Sequence, residues 1–183
     1  NQYEKAIIID KVTKFIKEHL NIIPQEKLLI TQVDYEREPV YGLNQLPSFL
    51  SPFKDDFIYE IKFIKSFLYH YLKAGLKIDF RKEGYIFDAY QTYYMIKFIQ
   101  ENYPDQKLLG NLSGFKILKG YHLANIDFNE QYSNLYLFMA RKNLDQALGQ
   151  NKDTFIKFNE QISNKAKTGA AFKIGRASCR ERV

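Results

Sequence analysis

The sequence predicts a mainly α-helical domain with one small β element. Two observations carry this. Apolar residues recur at helical spacing through several long segments, while Pro and Gly cluster between those segments and not inside them. Only one short β-branched run, Lys27-Leu-Leu-Ile-Thr-Gln-Val33, reads as a strand. With 183 residues and 45% hydrophobic composition, the chain is long enough to bury one core.

The first helix is expected from Tyr3 to Leu20. Ile8, Val12, Phe15, Ile16 and Leu20 share one face, Lys11, Lys14, Lys17 and Glu18 lie off it, and Pro24 closes the segment. After the strand, Asp34 to Pro52 carries Pro39, Gly42, Pro47 and Pro52 among Tyr35, Tyr41, Leu46, Phe49 and Leu50. That mixture predicts an ordered loop that packs its apolar side chains.

A long helix should span Asp55 to Ala74, with Asp55 and Asp56 at its positive end and Gly75 ending it. Its main stripe is Phe57, Ile61, Ile64, Leu68 and Tyr71, widened by Ile58, Phe63, Phe67 and Leu72. The next helix, Gly84 to Asn102, is apolar nearly all round and belongs at the centre of a domain. Two further helices are expected near Glu130 to Leu148 and Lys152 to Lys167.

Composition excludes several classes. No apolar run approaches the length of a membrane span; no basic start, apolar stretch and small-residue cleavage site is present either, which leaves targeting unreadable. The formal charge of +6 falls to +4 without residues 174–183, and that modest excess is scattered Lys, without the cluster that tracks a phosphate backbone. The 14 Tyr and 15 Phe sit mostly at helical spacing among aliphatic residues, which reads as core. No nucleic-acid partner is therefore expected.

The chain opens at Asn1 without an initiator Met, and its first helix reads as the middle of a folded domain, so a piece of a longer chain is expected. The last ten residues, 174–183, hold three of the six Arg and the only Cys. They resemble the in-frame translation of a sequencing-adapter oligonucleotide, which leaves 1–173 as the domain.

One residue of the central helix is out of character. Asp88 lies between Phe87 and Ala89, where a carboxylate is costly unless it is paired or binds a metal. Around it, Tyr85-Ile-Phe-Asp-Ala-Tyr-Gln-Thr-Tyr93 resembles the W-L-N-E-G-F-A-x-Y segment of aminopeptidase N-like gluzincin metallopeptidases, with Asp88 in place of the Glu that is their third zinc ligand. The family places H-E-x-x-H on the preceding helix, then 18 residues, then that Glu. Here the 18 residues are 70–87, which puts the motif at Lys65-Ser-Phe-Leu-Tyr69.

The resemblance covers roughly Tyr3 to Phe172 and implies a thermolysin-like, gluzincin catalytic-domain architecture. Helix, short strand and loop precede the zinc helix in the family in the same order. Pro39-Val-Tyr-Gly-Leu-Asn-Gln-Leu-Pro47 falls where the family carries its G-A-M-E-N substrate-amine motif, without matching it.

The departures bear on function. Zinc hydrolysis needs two imidazoles one turn apart, a carboxylate ligand and a general base. Lys65 replaces the first His, Ser66 the base, Tyr69 the second His and Asp88 the Glu, so no zinc or other cofactor is expected. His70 is one position, about 100°, out of register, and His19 and His122 are isolated. Where zinc would have bridged the helices, Lys65 is expected to pair with Asp88; the alternative is that Lys65 snorkels to solvent.

The resulting expectation is a peptidase-like domain without peptidase activity, acting as a peptide-binding or scaffolding part of a larger protein. The alternatives are an unrelated helical interaction module and an active zinc aminopeptidase with a displaced site. Metal-free hydrolysis by Ser66 or Tyr93 is disfavoured, since no His or acid lies at triad spacing.

Overall fold

The computed structural model describes residues 2–20, 27–37, 40, 43, 51–119 and 122–180. The chain divides into two units, Asn1–Lys77 and Ile78–Val183. Among the described residues the regular elements are helices, and no strand is present. None of these helices is long and apolar enough to cross a membrane.

The first unit holds α1 (Gln2–Leu20), α2 (Gln32–Arg37) and α3 (Asp55–Gly75). On α1, Ile8, Val12, Phe15, Ile16 and Leu20 are all buried, as their spacing predicts. On α3 the predicted stripe Phe57, Ile61, Ile64, Leu68 and Tyr71 is likewise buried, and the helix includes Gly75. Tyr59, Phe63, Phe67 and Tyr71 form a ladder of rings on this helix, each about one turn from the next, with centroids 6.1–6.3 Å apart.

The α3 face turned to α1 also buries a charge. Glu60 is 6% exposed, and Lys11 of α1 reaches it at 2.7 Å. The carboxylate is thereby supplied with the opposite charge that burial demands.

The strand predicted at 27–33 is a correction. Residues 27–31 are irregular and α2 begins at Gln32. Leu29 and Val33 are 80% and 68% exposed, while Leu28 and Ile30 are half-buried. The physical reason is local. Thr31 Oγ1 accepts the Asp34 N–H at 3.2 Å, and the Asp34 carboxylate accepts the Thr31 N–H at 3.1 Å. This reciprocal capping box starts a helix where β propensity alone suggests a strand. The predicted loop from Asp34 is α2 as far as Arg37. Val40 and Leu43 are buried, and most of the rest lies outside the described residues.

The second unit is built on α4 (Gly84–Asn102), α6 (Glu130–Arg141) and α7 (Asn164–Arg180), with a short α5 (Lys116–Lys119). The bounds of α4 are those the sequence predicts. Its Phe87, Ala89, Tyr93, Met95, Ile96, Phe98 and Ile99 are buried, as a helix apolar nearly all round requires. Three contacts put α4 and α7 in parallel register: Asp88 with Lys165, Thr92 with Gly169, and Tyr93 with Phe172. Small residues permit the approach. Ala166, Gly169 and Ala170 lie on the buried side of α7, and a Cβ built on Gly169 would come within 2.9 Å of Thr92 Cβ.

Both C-terminal helices differ from expectation. The first stops at Arg141, short of Leu148, because Asn143 adopts φ 54°. Its N–H bonds the Ala140 carbonyl at 3.1 Å while the Leu144 N–H bonds the Met139 carbonyl at 3.0 Å, a Schellman ending. Substituting Asn143→Ala should lower stability by about 1 kcal/mol and Asn143→Gly should match or exceed the parent, measured by urea denaturation.

The second predicted helix, Lys152–Lys167, is a short 3-10 turn at Lys152–Thr154, a π turn at Asn159–Ser163 and then α7. The α7 backbone continues past 173 to Arg180. Among the described residues the one β pairing is an isolated antiparallel bridge, Lys107 with Asp127, away from the predicted strand; their side chains also pair at 2.6 Å.

Candidate functional site

Lys65, Ser66 and Tyr69 stand on α3 in the first unit, and Asp88 and Tyr93 on α4 in the second. Lys65 is buried, at 9% exposure. The one-turn spacing of Ser66 and His70 sets both on the side of α3 that meets α2. Ser66, 3% exposed, donates its hydroxyl to the Asp34 carbonyl at 3.4 Å. His70 Nε2 lies 3.5 Å from Asp34 Oδ2. Asp34 therefore serves as both cap and docking point: its carboxylate starts α2 and faces an imidazole of α3.

Tyr69 turns its ring edge against His70 at 5.3 Å, and its hydroxyl accepts from Lys73 Nζ at 3.4 Å. Lys73 also lies over the Tyr69 ring at 5.3 Å. These are bonds of a helix surface, and they leave no imidazole at the position Tyr69 occupies.

Asp88 is paired, as its place in a buried helix requires. Lys165 Nζ of α7 lies 4.0 Å from its Oδ1, with the two side chains 28% and 21% exposed. Tyr93 packs against Phe172 at 5.6 Å and Tyr94 at 5.2 Å. In the second unit, then, the side of α4 that carries Asp88, Thr92 and Tyr93 is packed on α7 through specific partners.

This donor set does not fit a zinc ion. An ammonium, an aliphatic hydroxyl, a phenol and one carboxylate lack the imidazole pair on which hydrolytic zinc sites rest. Among the described residues, no three His, Cys, Asp or Glu side chains come together as a metal would require.

Sequence reasoning missed the residues that most shape these surroundings. Lys165 and Phe172 could not be assigned to α4 without the register of α7. The Thr31–Asp34 capping box was legible as a [S/T]-x-x-[D/E] pattern.

A half-buried aromatic pair lies beside Asp34. Tyr35 and Tyr59 have centroids 5.4 Å apart, with Lys62 over the Tyr35 ring at 5.2 Å and Lys5 over the Tyr59 ring at 5.5 Å. Burial pushes the Tyr35 phenol up to about 12, with Tyr59 and Glu36 adding to the shift; burial also raises Tyr59. The folded protein thus holds the Tyr35 proton to higher pH than the unfolded chain, whose phenols ionise near 10. Stability should fall as pH rises from about 10 towards 12, and Tyr35→Phe should flatten that fall in a pH series of urea denaturations.

No family model, no curated protein and no solved structure matches the chain.

Proposed function

We propose that this chain is a non-catalytic, peptide- or protein-binding helical domain. In this reading it has the layout of an aminopeptidase N-type catalytic domain whose zinc machinery has been replaced, and it scaffolds other parts of a larger protein. The observation that carries the reading is the content of the four machinery positions: Lys65, Ser66, Tyr69 and Asp88. Nothing at these positions can generate a zinc-bound hydroxide, and Asp88 faces the ammonium of Lys165.

The helices α1, α3 and α4 support the layout, since they occupy the segments that the peptidase order requires. A second reading, an unrelated helical interaction module, is favoured by α2, which stands where that order has a strand.

The test is zinc per chain, by elemental analysis of the purified full chain after equilibration with zinc and removal of the excess, alongside hydrolysis of an aminoacyl p-nitroanilide. The expected result is a stoichiometry near zero and no turnover. A stoichiometry near one with hydrolysis would overturn the non-catalytic reading and require a displaced site.

A further inference from the structure

The π turn Asn159–Ser163 is the one departure from α geometry along the final helical stretch of the second unit. Such turns arise where a helix must absorb one extra residue, and they recur at functional positions. Here the reason is visible at both ends. Upstream, Asn159 Nδ2 donates to the Leu144 carbonyl and to Gln146 Oε1, both at 2.9 Å. Downstream, Lys165 must meet Asp88 and Gly169 must meet Thr92. The Asn164 N–H bonds the Asn159 carbonyl, five residues back, so the added residue lets both sets of contacts form.

The same turn gathers three polar side chains in the interior. Asn159, Ser163 and Asn164 are 1%, 0% and 3% exposed. Asn159 Oδ1, Ser163 Oγ and Asn164 Oδ1 have no hydrogen-bond partner among the described residues. The Asn159 amide cannot escape by flipping, because its nitrogen already serves two acceptors. A buried polar atom left without a partner is destabilising, and three within one turn call for a guest.

We infer that this turn is a binding site for one internal water molecule. Two amide oxygens need two donors, and the serine hydroxyl needs an acceptor. A water offers two O–H donors and a lone pair, the complement of what the three groups lack. A monovalent cation could take the two amide oxygens, but it would bring an unpaired charge and leave the Ser163 proton unused. The water is a positioning element. It holds the π turn, and through it the placement of Lys165 against Asp88.

The test is a crystal structure of the full chain at a resolution that shows waters, with a parallel crystal soaked in a thallium(I) salt. The expected result is a peak about 2.8 Å from both asparagine oxygens, without thallium anomalous signal. An anomalous peak at that point would make it a monovalent-cation site and overturn the proposal. So would no peak, with the three side chains bonded to one another. Asn164→Leu should remove the peak and speed exchange of the backbone N–H at position 164 about tenfold. Retention of the peak in that variant would overturn the proposal, and if the variant does not fold, the parent crystals decide.

Discussion

Replacing Gly169 by Ala should destabilise the second unit by about 2 kcal/mol, although Ala is the better helix former. In an open helix interior the exchange would gain about 0.5–1 kcal/mol. Gly169 is not in the open. Its added Cβ would lie 2.9 Å from Thr92 Cβ, closer than real carbon atoms approach, and Thr92 is itself buried. Relief requires α4 and α7 to separate, which would also draw Lys165 from Asp88 and Phe172 from Tyr93.

Gly169→Val should cost more still, because it adds volume at the same point. Gly84→Ala is the control: nothing lies within 4 Å of its added Cβ, and it should leave stability unchanged or raise it slightly. Urea denaturation of the three variants checks the ordering. If Gly169→Ala equals or exceeds the parent, the close crossing of α4 and α7 is wrong.

Removing the Lys11 ammonium should be almost as damaging. Lys11→Met leaves the Glu60 carboxylate buried on α3 with its 2.7 Å partner gone, at a cost of about 2 kcal/mol. The value stays below the 3–5 kcal/mol of a fully buried pair because the Lys11 side chain is 33% exposed and water can screen it. Pairing Lys11→Met with Glu60→Met should recover most of the loss, since the penalty comes from the orphaned charge and not from the missing attraction. A double-mutant cycle measures this directly, and two losses that simply add would show the groups to be uncoupled.

How far the sequence could be read depended on the range over which each signal acts. The long helices were legible because α1 and α3 repeat an apolar face over several turns and α4 is a long run that is apolar nearly all round, and α4 was recovered to the residue. The short segment at 27–33 was misread because its β-branched residues suit a strand, whereas strand formation needs a partner and a capping box needs only three neighbours. The C-terminal boundaries failed for a similar reason. Asn143 in a left-handed conformation ends α6, and an apolar pattern running on through Leu144 and Leu148 conceals it.

The candidate site divides in the same way. That positions 65, 66, 69 and 88 carry Lys, Ser, Tyr and Asp is a property of the sequence, and the chemistry those groups cannot perform follows from side-chain identity alone. Asp88 was also legible as a carboxylate in need of a partner, because its apolar neighbours set the cost of burying it. That the partner includes Lys165, that Tyr93 meets Phe172, and that Ser66 and His70 both bind Asp34 was decided only by tertiary structure. Helix formation and charge are local and leave their period in the sequence. The pairing of residues 77 positions apart depends on the crossing of two helices, which a glycine at 169 permits and a π turn at 159–163 brings into register.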